Sequence, residues 1–554
     1  MTASPAKLPK AVEPTVDVLD QRVGAAALIK GLARKLFPDH WSFLLGEIAL
    51  YSFIVLLLSG VFLTMFFVPS MVETVYPADA LPVQLQGMEM SEAMASTTYM
   101  SFHVRGGLLM RQVHHWSALL FMMSIVVHML RVFFTGAFRK PRELNYVVGF
   151  TMLVLGMLAG LTGYSLPDDV LSGNGLRILE GVARSIPLIG SRLSYMVFGG
   201  EFPGTDVIPR MFTLHILLIP GLILALVTVH LLLVFWNKHT QYPGPGRTNK
   251  NVVGYPLFPV YTAKAGGFFF VVMGVLVLMG AFLSINNVWA YGPYDPGLVS
   301  AGAQPDWYML FLEGTLRLMP GWEFVIGGYT LSLNILVPGA IIPGVLITFF
   351  GAYPFIERYV TKDTGEHHIL DRPRNVPVRT SLGVAVLTAF LVTLAAGAND
   401  LIATHFKLSL NGITLWLRVL FFVAPVLAFM ITKRVCLALQ RKDRELVLFG
   451  HETGYVRRTP QGAYYEVHEP LDEYERWELV SQHVYRPLEI DPPTDSNGVA
   501  RPGYKKDLRR QKLSRFFFED RIEPVTPAEL AAAQAKHDSD IAELEGQPLE
   551  EISK

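Results

Sequence analysis

Cysteine is nearly absent: Cys436 is the only one in 554 residues. That excludes an intrachain disulfide, a cysteine-held iron–sulfur cluster and a covalent c-type haem attachment site, so any such centre working with this chain has to sit on another one. Charge is scarce as well. Only 17% of residues are charged, and the 47 Lys and Arg balance the 47 Asp and Glu. Without a basic excess no nucleic-acid partner is expected. The N-terminal run MTASPAKLPKAVEPTVDVLD lacks an apolar core followed by a cleavage site, so it is expected to be a retained polar arm.

What the chain has in abundance is apolar length. Hydrophobic residues make up 51%, and runs long enough to cross a bilayer lie near 43–68, 112–134, 145–165, 211–236, 265–286, 328–352, 380–398 and 412–432. The expected class is an all-α integral membrane protein with eight transmembrane helices. Basic residues cluster in alternate connections: Arg34 and Lys35; Arg139, Lys140 and Arg142; Lys238, Arg247, Lys250 and Lys264; Arg358, Lys362, Arg372, Arg374 and Arg379; and Lys433, Arg434, Arg441 and Lys442. The positive-inside rule then puts both termini in the cytoplasm of a multi-pass protein of the cell membrane, with helices two and four running inward.

Those two helices carry paired histidines, His114 with His128 and His215 with His230. Fourteen residues make about 3.9 helical turns and fifteen about 4.2, so each pair faces one side, about 21–22 Å apart along the axis. Intramembrane ionisable residues are costly, and neutral imidazole is an axial ligand for haem iron. Facing helices of this kind hold two haems, with His114 and His215 at the outer level and His128 and His230 at the inner. Packing or hydrogen-bonding histidines are the bland alternative. His115, at a 13-residue spacing, is turned about 140° from the face of His128 and is expected to face another helix or the outer surface. Helices one and three repeat the spacing with glycines, Gly46 and Gly60, then Gly149 and Gly163, which would let a flat porphyrin edge approach the backbone. Ordinary small-residue helix packing would use the same glycines. Arg111, Arg131 and Arg210 lie near the histidines as candidate partners for haem propionates, snorkelling at helix ends being the other reading.

The run VHHWSALLFMMSIVVHMLRVFFTGAFRKPREL (113–144), followed by GYSLPDD, SIPLIG and PDWY, resembles cytochrome b of the cytochrome bc complexes over roughly residues 36–435, and most closely its actinobacterial branch. The resemblance implies a quinol:cytochrome c reductase running a proton-motive Q cycle with two non-covalent b-type haems. It implies menaquinol as the substrate. Pro305, Asp306, Trp307 and Tyr308 match the family's PEWY motif at the quinol-oxidising site, with the usual glutamate shortened to Asp306, which is expected to accept a quinol proton. Implied partners are a Rieske-type iron–sulfur subunit and a cytochrome c subunit, in a homodimeric complex that can associate with a terminal oxidase among membrane lipids.

At the quinone-reducing site the family's histidine and aspartate are replaced by Phe235 and Ala265, so Glu47, His239 and Lys264 become the candidate proton donors. The expected organisation is a cytoplasmic arm over 1–36, a four-helix di-haem domain over 37–240, four further helices with the PDWY loop over 241–435, and a cytoplasmic extension over 436–554. From about 433 onward the chain is charged and is expected to be loop-rich and solvated. Two rival classes remain: a quinone-linked two-haem membrane anchor of a dehydrogenase, and a transporter whose histidines line a substrate path.

Overall fold

A computed structural model describes residues 25–297, 302–480, 486–518 and 521–545; parts of the N-terminal arm and of the final acidic segment lie outside them. Among the described residues, eight helices are long and apolar enough to span a membrane: α1 Trp41–Thr64, α2 Gly107–Phe134, α3 Glu143–Tyr164, α4 Val207–Asn237, α5 Leu257–Phe282, α6 Leu333–Thr361, α7 Pro377–Gly397 and α8 Leu410–Phe449. Most of their surface faces outward and is apolar; Trp416 and Phe422 on α8 are among the exposed side chains. That is the arrangement a hydrocarbon solvent selects, since lipid competes with the interior for apolar side chains. Among the described residues, strands occur only as short antiparallel pairs, such as Glu323–Ile326 with Tyr329–Ser332.

α1 lies along α2 and α3 along α4, with α5 closing against α1 and α2, and α6 against α3. The four-helix core is filled between its two ends by Ala49, Phe53, Phe121, Met122, Ile219 and Ile223, with the Phe53 and Phe121 rings stacked at 5.7 Å. This packed layer separates the two histidine levels.

Element boundaries move where a specific contact intervenes. α5 stops at Phe282 rather than near 286 because the buried Gln112 of α2 clamps Ile285 through both its backbone groups, at 2.8 and 2.9 Å. α6 begins at Leu333 rather than near 328 because the preceding residues turn at Gly327 and Gly328, both at positive φ. The largest departure is at the C-terminal end. α8 has 40 residues, about 60 Å of helix against a hydrocarbon core of about 30 Å, so its charged second half extends beyond the membrane. The segment expected to be loop-rich instead contains a hairpin, His451–Arg458 with Tyr464–Glu469, and the helices α9 Glu473–Val480, α10 Tyr504–Phe518 and α11 Pro527–Glu545. Val447, Leu471 and Val525 bury a small core of its own there.

Candidate functional site

Each of the four histidines meets one of the four glycines. A Cβ on Gly46 would lie 3.2 Å from Cε1 of His128, one on Gly60 3.3 Å from Cε1 of His114, one on Gly149 3.6 Å from Cε1 of His230, and one on Gly163 in hard contact with His215. The glycines therefore make room for the imidazoles themselves. At the first level the His114 and His215 ring centres stand 6.2 Å apart. Imidazole–metal bonds are about 2 Å long, so that separation has room for one metal atom between the rings.

Nδ1 of His114 hydrogen-bonds the Ser59 hydroxyl at 3.0 Å, and Nδ1 of His215 the Ala159 carbonyl at 3.0 Å. Tying Nδ1 to a flanking helix fixes the ring and leaves Nε2 directed away from that contact. No cluster of three or more His, Cys, Asp or Glu suited to a metal ion occurs among the described residues. A metal that arrives already held by a macrocycle would need few protein ligands, and the facing imidazoles of His114 and His215 would be the residues to hold it.

The unequal spacings are reconciled by a local change of helix type. Around His215, residues Leu214–Leu218 form a π-turn in which the Ile219 N–H reaches the Leu214 carbonyl. Pro220 follows directly and has no N–H to give to Ile216, which favours the wider turn. One residue is absorbed in the turn, so the 15-residue pair on α4 matches the phase of the 14-residue pair on α2. The simple count of 4.2 turns for His215–His230 is corrected accordingly.

Arg111 is buried against a cavity of about 420 Å³ that contains His114 and His215, and donates to the Asn286 carbonyl at 2.9 Å. Arg131 lines the second cavity, about 100 Å³, with His128, His230 and His239. Nε of each arginine is buried without a partner. An orphaned guanidinium N–H beside each histidine pair fits a group with carboxylate arms, as a haem has. Arg210 does not belong to this set. It is half-exposed, paired with Asp206 at 3.0 Å, and donates to the Met196 carbonyl at 2.6 Å, so it ties down the connection before α4.

The larger cavity also contains Asp306 and Tyr308. Asp306 stands at the N-terminus of the helix Trp307–Leu318, with the Tyr308 hydroxyl 3.1 Å from Oδ2 and His115 Nε2 3.3 Å from Oδ1. Gly160 on α3 leaves the space in which the Tyr308 ring lies. Pro305 and Trp307 are half-buried beside them. His115 thus faces the motif, a pairing across 191 residues that helical arithmetic could only leave open. Behind the motif, the Gln304 side-chain amide donates to both oxygens of Asp400 at 2.8 and 3.0 Å, and Asp400 pairs with Arg317 at 2.9 Å. Sequence reasoning missed this clamp.

At the other end, Glu47 accepts a hydrogen bond from the Tyr261 hydroxyl and lies 3.1 Å from that of Tyr51. Tyr261 stacks on Phe37 at 4.6 Å, and Phe37 in turn touches His239 at 5.8 Å. Glu47 and His239 therefore flank one aromatic pair. Burial pushes His239 down to about 4, so its ring is neutral at pH 7. Lys264 is not part of the group. Its ammonium is exposed, lies 2.6 Å from Asp39 and rests over the Tyr255 ring, which corrects the expectation that it serves as a donor there.

Comparison with known proteins matches residues 119–293 to the family model described as Cytochrome b(N-terminal)/b6/petB. Over 506 residues the chain is 56% identical to the "Cytochrome bc1 complex cytochrome b subunit" of Streptomyces coelicolor, covering 91% of this chain and 92% of that one. The chain belongs to the cytochrome b family of bc1 complexes. Proteins of the same description from Corynebacterium diphtheriae and Mycobacterium leprae are 52% and 51% identical, covering 82% and 84% of this chain and 83% and 85% of theirs. A solved chain of "Hyperthermophilic respiratory Complex III" superposes with a TM-score of 0.55 at 21% identity, covering 76% of this chain and 99% of that one, and so shares its fold. As a cytochrome b, the chain is a multi-pass membrane subunit of a quinol oxidoreductase, and b-type haem is the group its family implies. The dehydrogenase-anchor and transporter readings fall.

Proposed function

We propose that this cytochrome b holds two non-covalent b-type haems, one between His114 and His215 and one between His128 and His230, and couples menaquinol oxidation at one membrane face to quinone reduction at the other. The observation that carries the reading is the continuity of the larger cavity, which joins a glycine-backed histidine pair to the carboxylate of Asp306. Bound haem supplies one-electron stations at two depths in the membrane.

The protein's own groups handle orientation and protons. Arg111 and Arg131 each offer a buried N–H to a carboxylate, which fixes the rotation of the group beside it. Asp306 accepts a proton from quinol at one oxygen, while the Tyr308 hydroxyl and His115 hold the carboxylate in place. Trp307 and Pro305 shape the apolar side of the pocket. At the opposite level Glu47, with Tyr51 and Tyr261, is the group that delivers protons to reduced quinone, and the neutral His239 ring, tied at Nδ1 to the Thr240 carbonyl, offers its other nitrogen as a hydrogen-bond acceptor beside it. The clustering of basic residues in the connections at that level supports a cytoplasmic position for it and for both termini. Moving one charge against 100 mV costs about 2.3 kcal/mol, which the redox step has to exceed.

The di-haem domain then corresponds to residues 37–240, the PDWY part to 241–435 and the extension to 436–554. A Rieske-type iron–sulfur subunit and a cytochrome c subunit take the electron leaving the outer side, in a dimeric complex able to associate with a terminal oxidase. A stepwise redox titration in the b-haem α-band tests the reading. Wild type gives two transitions, and His114→Ala and His128→Ala each remove a different one; a folded wild-type complex with no b-haem signal refutes it.

A further inference from the structure

α10 lies outside both quinone-site regions and presents a charged face that the electron-transfer reading leaves unused. Its residues sort cleanly by exposure. Asp507, Leu508, Gln511, Ser514, Phe517 and Phe518 point inward, and Ser514 and Phe518 are buried. Lys505, Arg509, Lys512 and Phe516, at helical spacing, form an exposed stripe. Lys506, Leu513 and Arg515 are exposed beside it. The single acidic residue of α10, Asp507, is on the inward half, and none of the five exposed cations pairs with a carboxylate among the described residues.

The position of the helix is set by two contacts. Arg510 stacks over the Tyr359 ring at 4.1 Å and donates to the Tyr359 carbonyl at 3.0 Å, just before α6 ends at Thr361. Near its C-terminal end, the Phe516 ring lies 5.8 Å from the ammonium of Lys433, the first charged residue after the apolar run of α8. Both anchor points are where a spanning helix leaves the hydrocarbon, and α10 also packs against α7. The helix is therefore held along the rim of the bilayer.

We infer that α10 is an interfacial helix whose exposed face binds the phosphate headgroups of anionic lipids. Charge complementarity carries this: five unpaired cations stand at headgroup level, with Leu513 and Phe516 beside them to enter the acyl boundary. An acidic protein surface would complement the cations but would give no reason for their placement at the membrane edge next to exposed Leu and Phe.

Hydrogen–deuterium exchange of the intact complex in nanodiscs tests it. In discs of phosphatidylcholine with one-third phosphatidylglycerol, amides of 504–518 are expected to exchange about tenfold more slowly than in phosphatidylcholine alone. A Lys505→Gln/Arg509→Gln/Lys512→Gln variant with unchanged b-haem content should lose that difference. Equal protection in neutral discs, which would indicate protein packing or an acidic partner, overturns the inference. So does full protection in neutral discs on adding inorganic phosphate, or protection that survives the triple substitution.

Discussion

A methyl group added at each of the four glycines is expected to discriminate between the two histidine levels. The added Cβ meets an imidazole carbon at 3.6 Å from Gly149, at 3.3 Å from Gly60 and at 3.2 Å from Gly46, while at Gly163 it overlaps His215. Ala in place of Gly gains about 1 kcal/mol of helix stability, and overpacking costs about 1–3 kcal/mol. Gly149→Ala, an ordinary contact, should therefore be neutral or slightly stabilising. Gly46→Ala and Gly60→Ala should come close to balance, since a ring can yield a few tenths of an ångström. Gly163→Ala cannot balance so easily, because His215 is also tied to the Ala159 carbonyl and has little freedom to retreat. A net loss of about 1–2 kcal/mol is expected there, concentrated on one ligand. The assay is the b-haem α-band titration in membranes, with a thermal shift on the solubilised complex. Gly163→Ala should lose the transition that His114→Ala loses and keep the one that His128→Ala loses. If Gly149→Ala is the more damaging variant, or Gly163→Ala removes the other transition, the pairing of glycines with ligands is wrong.

Three further perturbations separate roles around the sites. His115→Ala should lower quinol oxidation while both b-haem transitions persist; loss of the transition assigned to His114 would instead make His115 the ligand. Asp400→Ala frees Gln304 and is expected to cost about 1–2 kcal/mol of positioning, about tenfold in kcat/KM for quinol, with haem content unchanged; unchanged kinetics would dismiss the clamp. Burial, with the Arg142 guanidinium 2.7 Å from Nδ1, pushes His368 down to about 4. A lowered histidine value favours the neutral folded form, so its contribution is complete above the unfolded value of about 6.5 and is lost as pH falls through 6.5 toward 4. Thermal stability between pH 7 and 4.5 should fall less in His368→Gln than in wild type; parallel curves would refute the assignment.

What could be read from the sequence and what could not divides along a physical line. Residues on one helix share a phase that arithmetic supplies, so the histidine pairs and the glycines opposite them were legible. The partners of Asp306 were not, because His115 reaches it across 191 residues and only tertiary packing decides which way a residue one step beyond a ligand will face. Nearer carboxylates claim Arg210 and Lys264: Asp206 stands four residues before Arg210 and is visible in the sequence, whereas Asp39 lies 225 residues from Lys264 and only the fold brings it there. The π-turn at His215 lies between these cases. Its cause is local and visible, an Ile-Pro-Gly step inside an apolar helix, and the same step at Ile342-Pro343-Gly344 directly follows a second π-turn, Val337–Ile341. A fifteen-residue spacing interrupted by such a step is therefore equivalent to an uninterrupted fourteen. The two ligand helices, unlike in sequence count, present their imidazoles in the same phase because the proline removes one hydrogen bond and the helix absorbs one residue.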